Sequence, residues 1–178
     1  HYTTISDMAK ITRYAMSIPK FREIVSARFY EIPPSNLRKE PVYVYTTNKM
    51  FLKSSAAKNV YYPAAIGIKT GYTDEAGHNF IGAASKDNAE LISVIMGCRE
   101  SGLDNGVFLE TINLFEYGFS NYSIQEIAPA GQSVLKTNIN KAGFFQQLDA
   151  VTSSRVEALM PNDKSKWSLT VKPLINSD

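Results

Sequence analysis

Lys69, Thr70 and Gly71 stand in a row, followed by Tyr72 and Thr73, inside the run AAIGIKTGYT of residues 64–73. Each residue type offers something to an anionic ligand. A lysine ammonium supplies positive potential to a carboxylate, and a threonine hydroxyl donates a hydrogen bond to it. A glycine has no Cβ, so a ligand backbone can lie close against a strand. A peptide laid there adds as one more strand, and a strand N–H can point at a developing oxyanion.

Other reactive types have plainer readings. His1 and His78 are the only histidines. Neither sits in a G-x-S-x-G elbow, and no H-E-x-x-H spacing supports zinc. His78 is expected on the turn after the Lys69–Gly71 strand. Asp74 and Glu75 are adjacent on that turn, where neighbouring side chains diverge, so a solvated turn is expected rather than an acid–base pair. Cys98 is the single cysteine and follows Val94, Ile95 and Met96. It reads as a small residue packed near a strand end, with no disulfide and no multi-cysteine metal site. Tyr61 and Tyr62, before Pro63, read as packing residues or cleft wall. The spacing S-x-x-K occurs at Ser17/Lys20, Ser55/Lys58 and Ser133/Lys136. The first has a proline inside it, the second lies in a polar stretch and the third in the β-rich tail. None is expected to be a nucleophile. S-x-N is absent.

These residues must be positioned by an α+β arrangement. Residues 1–17 read as a helix, with Thr4 as N-cap and Asp7 three residues later. Ile5, Met8, Ala9, Thr12, Ala15 and Met16 recur at helical spacing. Pro19 opens a second short helix with Phe21, Ile24 and Val25 inward. Residues 30–41 carry three prolines and read as a loop with a short extended piece. VYVYT at 42–46 reads as a strand. Residues 64–73, 80–85 and 91–97 read as three strands, the last two joined tightly through Lys86–Ala89 as an antiparallel hairpin. Residues 103–119 read as an amphipathic helix with Val107, Phe108, Thr111, Leu114, Phe115 and Phe119 on one side and Gly118 near its end. Beyond residue 122 short β-like runs (SIQEIA, QSVLKT, VEALMP, WSLTVKPL) alternate with turns. The expected division is 1–122 and a β-rich module over 123–178.

The chain has 178 residues, 44% hydrophobic and 20% charged, with 19 basic and 17 acidic residues. That composition builds a core. The near-neutral balance and scattered basic residues argue against nucleic acid. No run reaches the ~20 apolar residues of a membrane span. The start at His1 reads as a processed or excised piece.

The segments HYTTISDMAKITRYAM, PKFREIV, EIPPSN, TNKMFL, YYPAAIGIKTGYTDEAGHNFIGAAS and LISVIMG, in order, resemble the D-alanyl-D-alanine carboxypeptidases, low-molecular-weight penicillin-binding proteins of serine type. The string from Gly67 to Gly77 is the most specific part. The resemblance implies the C-terminal portion of a transpeptidase-like domain, followed by part of the β-rich domain these enzymes carry. It implies an activity that trims the terminal D-Ala from peptidoglycan stem peptides through a serine acyl-enzyme, with β-lactams as inhibitors and no cofactor or metal. It places the enzyme outside the cytoplasm, on the cell-wall side of the bacterial membrane.

Carried over by position, the resemblance implies that Lys69 forms the electrostatic site. Thr70 would bind the terminal carboxylate and Gly71 would leave room for substrate. The backbone N–H of Tyr72 would supply half of an oxyanion hole. The family's S-x-x-K nucleophile and S-x-N motif lie upstream of the matching segments. The expectation is that both belong to an N-terminal half outside this chain, and that the chain alone is inactive. A β-lactamase of the same superfamily and a non-catalytic peptidoglycan-binding relative stay open as alternatives.

Overall fold

The computed structural model describes residues 2–53, 59–99, 105–137 and 147–172. Its elements in chain order are α1 (Ile5–Met16), α2 (Pro19–Ser26), β1 (Phe29–Ile32), β2 (Val42–Tyr45), β3 (Ala65–Thr73), β4 (Gly77–Lys86), β5 (Ala89–Cys98), α3 (Gly106–Asn121), β6 (Tyr122–Ala128), β7 (Ser133–Thr137), β8 (Leu148–Val151) and β9 (Val156–Pro161). They fall into two compact units, His1–Phe119 and Ser120–Asp178. Helices and antiparallel sheets mix as the α+β reading expects.

Local chemistry starts the helices. The Thr4 hydroxyl oxygen accepts from the Asp7 N–H at 3.1 Å, and the hydroxyl donates to Asp7 Oδ2 at 2.9 Å. One group satisfies an orphan donor of the first turn, and an acid sits at the positive end of the helix. Pro19 occupies the first turn of α2, where a missing N–H costs nothing.

The three-stranded sheet has the order β3-β4-β5. Asp87 and Asn88 close the β4–β5 hairpin with φ of 51° and 62°, the left-handed pair a two-residue turn demands. Residues paired across antiparallel strands share a face. Phe80 pairs with Ile95 and Ala84 with Leu91, and these pack with Val107, Phe108 and Phe115 of α3. Ile81 pairs with Val94 and Ala83 with Ile92; on that side Met16, Phe21 and Val25 supply the partners from α1 and α2. The sheet is thus covered on both faces. Phe80 and Phe115 are fully buried, each contributing about 2 kcal/mol of apolar transfer. Gly82 lets α3 close down: a Cβ there would lie 2.9 Å from Thr111 Cγ2 and 2.9 Å from Ser93 Oγ. Arg22 of α2 forks onto Glu90 of β5 at 2.8 and 2.7 Å. Both side chains are partly solvated, so the pair orients more than it stabilises.

Several expectations are corrected. Ile24 of α2 and Leu114 of α3 are exposed, because only part of each helix's apolar stripe meets the sheet. The short extended piece expected with the 30–41 loop is the strand Phe29–Ile32, which begins one residue earlier and pairs with β2. Gly118 lies near the end of α3 as expected, in the last turn before Asn121, while the helix starts later than residue 103 among the described residues. A Cβ at Gly118 would meet Leu91 Cδ1 at 2.4 Å, so this glycine serves packing. The WSLTVKPL run forms no strand among the described residues.

In the second unit β6 pairs with β9 and β7 with β8, all antiparallel. Asn162 ties the ends of the first pair, donating from Nδ2 to the Ser120 carbonyl at 2.9 Å and accepting from the Ser123 hydroxyl at 2.6 Å. β8 has no counterpart among the expected runs.

Candidate functional site

β3 carries Lys69, Thr70 and Gly71 and pairs on one side with β4. Among the described residues its other edge is open. The register sets the faces. Thr70 and Tyr72 lie opposite Phe80 and His78 on one face, while Lys69 and Gly71 lie opposite Ile81 and Asn79 on the other. The first half of the strand is covered, with Gly67 and Ile68 buried and Val25 of α2 packed on Gly67. The second half, from Lys69 to Thr73, is largely exposed.

An open cleft of about 620 Å³ lies along this exposed half. Its lining comprises Thr47, Lys49, Lys69, Thr70, Gly71, Tyr72, His78, Asn79, Val107 and Phe108. Among the described residues two lysines and no carboxylate line it, so its potential favours an anion. Lys69 Nζ donates to the Thr70 carbonyl at 2.6 Å, which holds the ammonium near its own strand. Lys49 Nζ donates to Asn105 Oδ1 at 3.1 Å. The Thr47 and Thr70 hydroxyls are hydrogen-bonded at 2.6 Å. Asn79 braces the frame: its Nδ2 donates to the Gly77 carbonyl at 2.8 Å and its Oδ1 accepts from the Gly97 N–H at 3.0 Å.

Gly71 is not required by packing within the protein. A Cβ there would meet only Asn79 Cβ, at an ordinary 3.9 Å. The space over Gly71 is open to a ligand, and a strand edge without a side chain is where another backbone can approach.

The structure moves His78 from the expected turn into β4, where it pairs with Tyr72 and packs its ring against it, the centres 4.5 Å apart and the planes tilted by 35°. The turn is shorter than the sequence implies, because glycine at position 77 starts the return strand. Asp74 and Glu75 do lie on the turn, and Asp74 accepts from the Tyr72 hydroxyl at 2.9 Å. Tyr62 is packing: buried, stacked on Phe115 at 5.8 Å, and donating to Glu116 Oε1 at 2.7 Å. Burial, then the bond to Glu116, holds its phenol well above the ordinary range. Tyr61 lies under Lys53, whose Nζ is 5.1 Å from the ring centre. Cys98 ends β5, half-buried and unpaired.

Ser17 caps α1, its hydroxyl donating to the Tyr14 carbonyl. Ser133 is in the second unit and donates to Asp149. Ser55 lies outside the described residues. Among the described residues the cleft lining includes no serine or cysteine, so these groups can bind and polarise a ligand but bring no serine or thiol nucleophile. Thr47, Lys49 and Asn79 are cleft residues that sequence reasoning left without a role. The TNKMFL segment that contains Thr47 and Lys49 was a signal only of resemblance.

Among the described residues no helix is long and apolar enough to cross a membrane. The family model for D-alanyl-D-alanine carboxypeptidase matches residues 1–100. The carboxypeptidase DacF of Bacillus subtilis is 26% identical over 159 residues, covering 89% of this chain and 37% of DacF. Two solved structures share the fold. One is a peptidoglycan synthesis regulatory factor (PBP3) from Streptococcus pneumoniae, with TM-score 0.65 and 21% identity over 94% of this chain and 45% of that one. The other is penicillin binding protein 5 from Haemophilus influenzae, with TM-score 0.63 and 22% identity over 92% and 43%. The chain therefore spans less than half the length of these relatives. The match extends from the first helix through the whole of the Lys69–Gly71 sheet, and on it this chain belongs to the D-alanyl-D-alanine carboxypeptidase family.

Proposed function

We propose that this chain provides the carboxylate-binding strand of a serine-type D-alanyl-D-alanine carboxypeptidase that trims peptidoglycan stem peptides outside the cytoplasm. The observation that carries the reading is the exposed half of β3, where Lys69, Thr70 and a bare Gly71 line a cationic cleft. A stem peptide ending in D-Ala-D-Ala would lie along that edge. Its terminal carboxylate would take the Thr70 hydroxyl and the field of Lys69, and its backbone would pass over Gly71. The N–H of Tyr72 would face the oxygen of the scissile carbonyl as it becomes an oxyanion.

In this scheme a serine attacks the carbonyl of the penultimate D-Ala. The C–N bond breaks, the terminal D-Ala leaves with a proton as its amine, and water hydrolyses the ester. Among the described residues the cleft lining holds no serine, and in this reading the nucleophile and its base are supplied by an N-terminal half of the same enzyme. A β-lactam carries both a carboxylate and a reactive amide and would acylate that serine.

Intact mass measurement after incubation with excess benzylpenicillin tests the assignment. The chain is expected to stay unmodified at 19.8 kDa and to release no D-Ala from a diacyl-D-Ala-D-Ala substrate. A stoichiometric adduct would overturn the division of labour and make Ser17, Ser55 or Ser133 a nucleophile. Among the described residues the cleft is lined by binding groups without a serine or cysteine, which also favours a second reading, a peptidoglycan-binding relative without turnover. An acyl-enzyme formed once the upstream half is restored would exclude it.

A further inference from the structure

The β1–β2 ribbon is a two-stranded sheet with every residue of both strands exposed. Such a ribbon has no core of its own, and a contiguous exposed apolar surface marks a place of contact. The register sorts its two faces. Phe29 pairs with Tyr45 and Glu31 with Tyr43 on one; Tyr30 pairs with Val44 and Ile32 with Val42 on the other. The first face thus sets three rings around one carboxylate, and the second is mostly aliphatic. We infer that the face of Phe29, Glu31, Tyr43 and Tyr45 binds the sugar backbone of the cell-wall glycan, a chain of N-acetylated hexosamines, beside the cleft. The inference rests on the peptidoglycan reading of the cleft for the source of the glycan, and it concerns sugars rather than the stem peptide.

The chemistry of the first face selects that ligand. A pyranose presents a flat face of C–H bonds, which covers apolar ring surface, and a rim of hydroxyl and amide groups, which needs hydrogen-bond partners. Tyr45 is 74% exposed, Phe29 60% and Tyr43 49%, so the rings offer open surface. The Glu31 carboxylate is exposed among them and makes no ion pair among the described residues. It accepts from sugar hydroxyls and N-acetyl N–H groups, and the tyrosine hydroxyls both donate and accept. An aliphatic protein surface or lipid tails would bury that carboxylate unpaired, at a cost.

The placement suits a chain. Tyr43 and Tyr45 stand roughly 7 Å apart along one strand, so the face takes an extended ligand with successive flat faces. Arg38 stiffens the ribbon: its Nε donates to the Glu40 carbonyl at 2.8 Å and its Nη2 to the Pro33 carbonyl at 3.2 Å. The Thr46 N–H donates to the Arg28 carbonyl at 2.9 Å and carries the ladder to the ribbon's base. A surface ordered in advance loses little freedom on binding. Two residues past Tyr45, Thr47 lines the cleft and is hydrogen-bonded to Thr70. The platform is therefore continuous with the cleft, and a glycan lying on it holds its peptide branch beside the Lys69–Gly71 edge.

The test is an NMR titration of the 178-residue chain with N-acetylchitohexaose, which carries N-acetylated sugars and no peptide. Wild type is expected to bind, with shifts centred on β1 and β2. Tyr43→Ala and Tyr45→Ala should each weaken binding by about tenfold, and Tyr45→Trp should retain it. Glu31→Gln should weaken it by about threefold to tenfold, the scale of one hydrogen bond. Val44→Thr on the opposite face and Thr70→Val in the cleft should leave it unchanged. No binding by wild type, or binding indifferent to Tyr43→Ala and Tyr45→Ala, would overturn the glycan site. The carboxylate reading is judged separately, by Thr70→Val against an acetylated D-Ala-D-Ala peptide. If wild type ignores the hexasaccharide but self-associates in sedimentation, or binds phosphatidylglycerol vesicles, and Tyr45→Ala abolishes that, the face belongs to a second copy or a membrane and the inference is overturned.

Discussion

The hydroxyl oxygens of Thr47 and Thr70 are 2.6 Å apart, joining the segment after β2 to the exposed edge of β3. When Thr70 donates its proton to a ligand carboxylate, its oxygen is left to accept, and Thr47 is placed to donate to it. Such a chain polarises the outer donor and fixes its direction.

Thr47→Val is therefore expected to weaken binding of a D-Ala-D-Ala peptide by about threefold to tenfold, the net value of one hydrogen bond. Thr47→Ser should restore it. Titration of the variants, with thermal unfolding as a fold control, checks this. Unchanged affinity in Thr47→Val would remove Thr47 from the site.

Gly71→Ala separates folding from binding. The added methyl would meet only Asn79 Cβ at 3.9 Å, so unfolding free energy is expected to change by less than about 0.5 kcal/mol. Peptide affinity should fall by tenfold or more, because the methyl occupies the space over the strand. A variant that unfolds early would show that the glycine serves the fold.

Tyr62 makes a pH prediction. Burial, and then its bond to Glu116, raises its phenol above the ordinary value of 10.0. The native state thus resists ionisation, while the unfolded chain ionises near pH 10. The associated stability is fully present below that pH and is lost as pH rises from there toward the raised native value. Tyr62→Phe should flatten the alkaline decline in unfolding free energy. It should also cost about 1 kcal/mol at pH 7 through the lost bond to Glu116. An alkaline limb that is identical in wild type and variant would contradict the assignment.

Much of the frame was legible because local signals decided it. Thr4 with Asp7, Pro19 and the apolar runs around Lys69 named their elements, and the spacing of residues 80–97 forced a hairpin. What was not legible depended on tertiary contacts. Gly118 stands near the helix end as its sequence position suggests, but its reason is the close approach of Leu91 and not a stop signal. Ile24 has the spacing of a buried residue and is exposed, since α2 meets the sheet along only part of its stripe. Of the candidate site, Lys69, Thr70, Gly71 and Tyr72 stand together in sequence and were visible. Thr47 and Lys49 lie more than a strand away along the chain and reach the cleft only through the fold. His78 was misplaced by a few residues, because nothing local distinguishes the last turn residue from the first strand residue.

The central claim is that the Lys69–Gly71 edge recognises a terminal carboxylate, and titrating the chain with diacetyl-Lys-D-Ala-D-Ala and its C-terminal carboxamide tests it most directly. The acid is expected to bind at least tenfold more tightly than the amide, to weaken as salt screens the charge, and to fall to the amide's affinity in Lys69→Gln. Equal binding of acid and amide, unmoved by Lys69→Gln, would contradict the claim.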